Sequence, residues 1–202
     1  MERRPNAPPV RIRRATVSDA RALAELIEIA GEGIPTYLWS QMAKTGETSL
    51  DVGERRVRRE EGGFSYRHAL VAELAGEIVG TILAYRLPDV SDEDRSAIAG
   101  LPDFLRPFVE LEFEVPGSFY INALAVRAPF RSCGIGSRLL RKAEGQAIEA
   151  GCRRMSVQHF GRNRRAGVFY RRHGFRQVGE RALAPHAARP YEDRSILLVL
   201  DL

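Results

Sequence analysis

Residues 131–137, Arg131-Ser132-Cys133-Gly134-Ile135-Gly136-Ser137, have the composition and spacing of an anion cradle. A short apolar strand pattern, Tyr120 to Val126, precedes them, and an amphipathic helical pattern follows. The first amides of a helix have no intrahelical partners, and the helix dipole places partial positive charge at that end. Glycine at 134 and 136 lets the backbone approach phosphate oxygens with no Cβ in the way. Arg131 can add a charge-assisted contact. Other phosphate loops fit less well. A Walker loop ends in Gly-Lys-Ser/Thr, a tripeptide this chain lacks. A dinucleotide fingerprint needs glycine where Leu139 stands. Alone, the Arg-x-x-Gly-x-Gly pattern is equally compatible with a glycine-eased turn.

A second strand pattern, Arg154 to Phe160, is followed by Asn163, Ala166, Tyr170 and Gly174-Phe175. With these residues added to the loop, the chain resembles the GNAT superfamily of acyl-CoA-dependent N-acetyltransferases. That family places Arg/Gln-x-x-Gly-x-Gly/Ala after one strand, and Asn and Tyr on the next strand–helix unit. The likeness in element order runs from about residue 10 to the C-terminus, and its specific motifs lie within 120–175. It implies acetyl-CoA as co-substrate. Backbone groups of Leu124, Ala125 and Val126 would pair with the pantetheine arm. Amides of Arg131, Ser132, Cys133, Gly134, Ile135, Gly136 and Ser137 would hold the pyrophosphate. Strands splaying around Val126 and His159 would admit the thioester, Asn163 would hydrogen-bond the cofactor, and Tyr170 would stand near its sulfur. Ser132 and Cys133 depart from the family, replacing a glycine and a basic or polar residue, but neither removes a backbone N–H. Cys133 at a helix N-terminus is also placed for oxidation or acylation.

The chemistry so implied is direct attack of a primary amine on acetyl-CoA in a ternary complex. A lysine-like amine of pKa about 10.4 costs roughly 4.6 kcal/mol to deprotonate at pH 7, so a base or water relay matters. A leaving thiolate of pKa about 8.5 is tolerable, so acid help from Tyr170 matters less. Tyr170 is also readable, less readily, as a packing aromatic. Glu32, in the turn after the first helix, and Glu112, just before the central strand, lie where the family places acceptor contacts. Both are also ordinary candidates for surface carboxylates. Tyr37 and Trp39 would line an acceptor pocket or cap the core. Residues 88–117 carry Asp89, Asp92, Glu93, Asp94, Asp103, Glu110, Glu112 and Glu114 against only Arg95 and Arg106. Such a run is either a solvated insertion or one wall of a site for a cationic acceptor.

Bulk properties narrow the alternatives. The 202 residues are 44% hydrophobic and 28% charged, the balance of a globular chain with room for a sizeable core. No run approaches the roughly 18 apolar residues of a membrane span. Residues 1–9 read as a frayed lead without an apolar signal core, which makes the cytoplasm the default compartment. Cys133 and Cys152 form no disulfide framework, and the four histidines have no metal-ligand spacing, so no metal site is expected. The net charge of +5 invites nucleic acid as a partner. Only Lys44 and Lys142 are lysines, and the arginines are spread along the chain, densest from 162 to 172 beside the proposed cofactor loop. The expected acceptor is a small-molecule or peptide amine, with a homodimer left open. A non-catalytic acyl-CoA sensor and an RNA- or ribosome-associated protein are the competing classes.

Period-two and period-3.6 patterns supply the elements. Val10–Ala15 reads as a strand, Thr16–Asp19 as a cap, and Ala20 to about Gly31 as a helix. Ile34–Trp39 starts a second helix with Pro35 in its first turn, and Asp51–Glu61 a third closed by Gly62-Gly63. His68–Leu74 and Ile78–Leu87 form a hairpin. Pro88–Gly117 is the least regular part. The helix from about Ile135 to Ala150 buries Ile135, Leu139, Ala143 and Ala147, with Gly151 as its stop. Arg164–His173 is a short helix, and Phe175–Arg181 and Ser195–Leu200 complete the strands. This order predicts a single α/β domain over 10–202. Its mixed α+β sheet would be mostly antiparallel, with a parallel, splayed pair at the fourth and fifth strands and helices on both faces.

Overall fold

The computed structural model describes residues 10–202; the expected lead at 1–9 lies outside the described residues. The chain enters on β1 (Arg11–Arg14) and continues through α1 (Ala20–Gly31), α2 (Ile34–Ser40) and α3 (Ser49–Val57). A hairpin of β2 (Ala69–Leu74) and β3 (Glu77–Arg86) follows, then α4 (Asp92–Ala97) and α5 (Arg106–Glu112). Next come β4 (Phe119–Val126), α6 (Ile135–Glu149), β5 (Arg154–Phe160), α7 (Arg164–Arg172), β6 (Arg176–Leu183) and β7 (Asp193–Asp201). The strands form one seven-stranded sheet in the order β1-β2-β3-β4-β5-β7-β6. β4 and β5 run parallel, while the β1–β2, β2–β3, β5–β7 and β6–β7 ladders are antiparallel. The parallel ladder is short, pairing Phe119 to Ile121 with Met155 to Val157.

Residues group into two compact units. The first takes residues up to Leu83 together with Ala123–Ala143, and the second takes Ala84–Asn122 with Glu144–Leu202. In the first, α1 turns Leu23, Ala24, Leu26 and Ile27 into a core shared with Trp39, Val52, Val71 and Leu83. Each large side chain buried there contributes about 1.5–3 kcal/mol. Arg13 ties this unit together at its edge. Its guanidinium meets both oxygens of Asp19 at 2.7 and 3.0 Å and reaches Glu73 at 2.6 Å. In the second unit Leu87, Leu111, Val115, Tyr120, Leu197 and Val199 form a core of their own.

Two stretches differ from the sequence expectation. The third helix begins at Ser49 rather than Asp51, because Thr48 and Asp51 form a reciprocal cap. It ends at Val57, its last buried apolar position; Arg58 to Glu61 offer nothing to bury. Residues 88–117 are more regular than expected, since Ser91 and Asp94 cap α4 and Pro107 opens α5.

Helices α2 and α3 meet where α3 has no side chain. A Cβ on Gly53 would fall 2.5 Å from Cζ3 of Trp39, which is 3% exposed. Gly53→Ala is therefore expected to cost about 1–3 kcal/mol through overpacking. Thermal denaturation followed by the fluorescence of Trp39, the sole tryptophan, checks this.

Candidate functional site

In the first unit, β4 runs through Leu124, Ala125 and Val126 to Arg127. The Arg127 amide donates to the Val79 carbonyl at 2.8 Å, and its side chain pairs with Glu25 at 2.6 Å. After one 3-10 turn, Ala128–Phe130, the chain reaches the glycine loop. Arg131 folds back and donates from Nε to the Val126 carbonyl at 2.8 Å, bracing the loop against its own strand. Ser132 and Gly134 both take left-handed backbone, with φ of 64° and 78°. Ser132 stands where the family's glycine would be, and it holds that conformation at an expected cost of about 1–2 kcal/mol. The Gly134 carbonyl accepts the Arg138 amide at 3.1 Å, so the following amides of Ile135, Gly136 and Ser137 open the α6 N-terminus. A Cβ at Gly134 would meet nothing within 4 Å, so glycine is needed there for its left-handed backbone and not for want of room. Cys133 is a free, exposed thiol whose Sγ lies 3.5 Å from the Arg131 carbonyl oxygen.

Glu32 is the residue that ends α1. Its backbone is left-handed, with φ of 50°, and its amide donates to the Glu28 carbonyl at 3.1 Å. The Glu28 carboxylate in turn accepts the Thr36 amide at 2.7 Å in the first turn of α2. Trp39 lines a cavity of about 320 Å³ with Glu25, Glu28, Leu50 and Arg127, so it both caps the core and borders a space; Tyr37 does not line it.

In the second unit, Asn163 is the N-cap of α7, its Oδ1 accepting the Ala166 amide at 2.9 Å. That bond satisfies one orphan donor and sets the start of the helix carrying Tyr170. Tyr170 is 5% exposed, with its ring edge-on to Phe169 at 5.2 Å and to Phe175 at 5.3 Å. Burial pushes its phenol above the ordinary range, so the hydroxyl keeps its proton.

Glu112 closes α5 in the same unit. Glu110, and Glu114 in the turn beyond the helix, both meet Arg181, at 3.1 and 2.5 Å. Glu112 is about 200° around the helix from Glu110 and so faces the other way. There it faces the phenol of Tyr120. Burial pushes Glu112 up to about 7, against the smaller downward pull of the Tyr120 hydrogen bond. Tyr120 stands edge-on to Tyr85, with centroids 6.1 Å apart, and Asn122 Nδ2 donates to the Tyr85 hydroxyl at 3.4 Å. Tyr85, Tyr120 and Asn122 were not among the site residues expected from sequence. The available signal was the strand's period of two, which sets Tyr120 and Asn122 on one face. The remaining acids of 88–117 divide by environment. Asp89, Asp92, Glu93, Asp94 and Asp103 are exposed, Glu110 and Glu114 serve Arg181, and Glu112 alone turns to the tyrosines. Among the described residues no three metal-ligating side chains gather, and no helix is long and apolar enough to cross a membrane.

The acetyltransferase (GNAT) family profile matches residues 37–175, and the chain belongs to that family. Among curated proteins, none matches by sequence. Solved structures carry the same fold. A polyamine N-acetyltransferase of Drosophila melanogaster superposes with a TM-score of 0.68 at 15% identity, over 96% of this chain and 100% of that one. An N-acetyltransferase from Staphylococcus aureus Mu50 gives 0.62 at 20% identity, over 94% and 100%. A ribosomal-protein-alanine N-acetyltransferase from Brucella melitensis gives 0.61 at 20% identity, over 95% and 99%.

The raised Glu112 carboxyl has a consequence for stability. An ordinary glutamate in the unfolded chain loses its proton near 4.5, whereas the folded protein keeps this one to about 7. Between those values the folded state binds the extra proton, so stability falls as pH rises through the window. Above it the full cost of the buried charge remains. Glu112→Gln is expected to stabilise the protein at pH 8 by about 1–3 kcal/mol and to change little at pH 4.5. Urea denaturation at the two pH values measures the difference.

Proposed function

We propose that this protein transfers an acetyl group from acetyl-CoA to a primary amine, by direct attack in a ternary complex. The observation that carries the reading is the acetyltransferase family match over residues 37–175, and Glu112, a carboxyl that burial pushes up to about 7, is the group that best suits a base within it. A general base works best when its pKa lies near the working pH. Moving a proton from an ammonium of pKa about 10.4 to an ordinary glutamate would cost about 8 kcal/mol. To a carboxylate at 7 it costs about 4.6 kcal/mol. Burial therefore removes nearly half of that penalty. Glu32 is the second candidate for the base; its backbone role at the end of α1 gives it no comparable chemical distinction.

The chain's own residues then divide the work. The amides from Arg131 to Ser137 would take the pyrophosphate on the α6 N-terminus. Backbone groups of Leu124, Ala125 and Val126 would pair with the pantetheine arm, and Asn163 would set both a cofactor contact and the start of α7. Glu112 takes a proton from the ammonium, and the nitrogen lone pair attacks the thioester carbon. A C–N bond forms and the C–S bond breaks. Of the two protons the nitrogen loses, one passes through Glu112 to solvent. The other ends on the leaving sulfur, toward which Tyr170 offers its hydroxyl hydrogen.

The acceptor is read as a small-molecule or peptide amine. One structural relative acts on polyamines and another on ribosomal-protein alanine, at identities that carry the fold and not the acceptor. Thiol release from acetyl-CoA across a panel of polyamines, amino acids and peptides is the direct test. Acetyl-CoA binding without thiol release from any amine would instead identify a sensor. Tyr170→Phe is expected to lower kcat about ten- to a thousand-fold with little change in acetyl-CoA affinity. An unchanged kcat would remove Tyr170 from the chemistry.

A further inference from the structure

The cavity of the first unit holds a charge that nothing among the described residues balances. Glu25 and Glu28 stand one helical turn apart on α1, and both line it. Glu25 is answered by Arg127 at 2.6 Å. Glu28 accepts the Thr36 amide at 2.7 Å, and no cation pairs with it among the described residues. Two donors border the same space unused. Arg127 gives Nε to the Ile78 carbonyl at 2.9 Å and Nη2 to Glu25, and its Nη1 has no acceptor among the described residues. Trp39 is 3% exposed, and its indole N–H likewise has no acceptor among the described residues. A Cβ on Gly53 would fall 2.5, 2.6 and 2.8 Å from Cζ3, Cε3 and Cη2 of that ring. Those atoms form the corner farthest from Nε1, so the N–H lies on the side away from Gly53. A donor so enclosed needs an acceptor, and the space that can supply one is the cavity that Trp39 lines.

We propose that this cavity binds an α-ammonium with a carbonyl beside it, the grouping found at a peptide N-terminus and in an amino-acid amide. The ammonium is the cation that Glu28 lacks. The carbonyl is the acceptor that the indole N–H and Nη1 lack. Ile29 and Leu50 supply an apolar wall for the first side chain. Charge and hydrogen bonding separate this ligand from others. Glu25 and Arg127 balance each other, so Glu28 leaves the cavity one negative charge, which a ligand of net charge +1 neutralises. A free amino acid brings a second carboxylate toward Glu28, and an alkylamine leaves both donors unsatisfied. A volume of about 320 Å³ is at the small end for a ligand site, enough for one residue rather than a long chain. Ile29 and Thr36 are exposed, so the cavity opens to solvent on their side. The inference concerns binding and does not rest on the proposed reaction.

Trp39 is the sole tryptophan, so its fluorescence reads occupancy of the cavity directly, without acetyl-CoA. At about pH 6.5 L-leucinamide and 3-methylbutylamine are both cations with the same branched chain, and only the first has the carbonyl. Leucinamide is expected to bind saturably at millimolar concentration, about tenfold more tightly than 3-methylbutylamine. N-acetyl-leucinamide, which has lost the cation, should not bind. Glu28→Gln keeps an oxygen for the Thr36 amide and removes the charge, so it should weaken leucinamide about ten- to a hundred-fold. The ligand series needs no variant and is decisive even where Glu28→Gln folds poorly. A leucine-headed tripeptide amide that binds more tightly than leucinamide supports the site with a peptide as its source. One that binds more weakly supports it with a small amide. The inference is overturned by no saturable change with leucinamide, by equal affinity for 3-methylbutylamine, by binding of N-acetyl-leucinamide, or by an affinity indifferent to Glu28→Gln. Thiol release is a separate readout, and its absence with every amine overturns the proposed reaction while leaving this site in place.

Discussion

The two-residue repeat of β4 is the constraint on which the site depends. Phe119, Ile121, Ala123 and Ala125 go to one face and are buried there, while Tyr120 and Asn122 go to the other. A slip of one residue would exchange the faces, replacing the phenol that faces Glu112 with an isoleucine or a phenylalanine. At the strand's start the register is fixed by contacts that tolerate no slip. Ser118 and Ser156 hydroxyls meet at 2.6 Å in a buried position, and the Leu87 amide donates to the Ser118 carbonyl at 2.9 Å. Moving either pair apart would strand buried polar atoms, at about 1–3 kcal/mol each.

Helix α5 supplies the other half of the pair, and the forces orienting it are unequal. The ion pairs of Arg181 with Glu110 and Glu114 are visible on its outer side, but partly exposed pairs of this kind contribute about 0–1 kcal/mol. Leu111 is fully buried and Val115 nearly so, and each outweighs an ion pair. Apolar burial therefore sets the rotation of the helix, and the arginine follows. With Leu111 inward, Glu112 is carried toward Tyr120 whether or not its charge welcomes the move. Its raised pKa is the result of a carboxylate placed by its neighbour's hydrophobicity.

What was legible in the sequence was local. The glycine loop announced itself because its requirement is a backbone conformation, and Gly134 does adopt φ of 78°. The Tyr170 helix was legible for the same reason, between Asn163 as its cap and Gly174 beyond its end. The start of α3 was misplaced by two residues although Thr48 and Asp51 formed a readable capping box; the charged residues after Val57 drew the expected helix too far along the chain. Helix α5 was illegible because seven residues opened by a proline carry too few turns to show a period. Glu112 could be named as a candidate through family likeness, but its partner could not. Tyr120 looked like the apolar head of a strand, and nothing local says that a hydroxyl at 120 will face a carboxylate from another element.

Two buried phenols in one unit invite the same role, and their surroundings separate them. Burial first, and then the charge of Glu112, raises the pKa of Tyr120. Tyr170 rests against Phe169 and Phe175, and burial is the cause of its raised pKa. For a general acid that burial is a handicap. A free phenol near 10 already gives its proton uphill to a thiolate near 8.5, by about 2 kcal/mol, and burial steepens the step. Full transfer from Tyr170 to sulfur is therefore the poorer use of this residue. A hydrogen bond to sulfur gains strength as negative charge develops there, and in a buried setting it is stronger than in water. In the proposed mechanism Tyr170 therefore stabilises the departing charge rather than supplying the proton, and proton traffic at neutral pH would fall to Glu112.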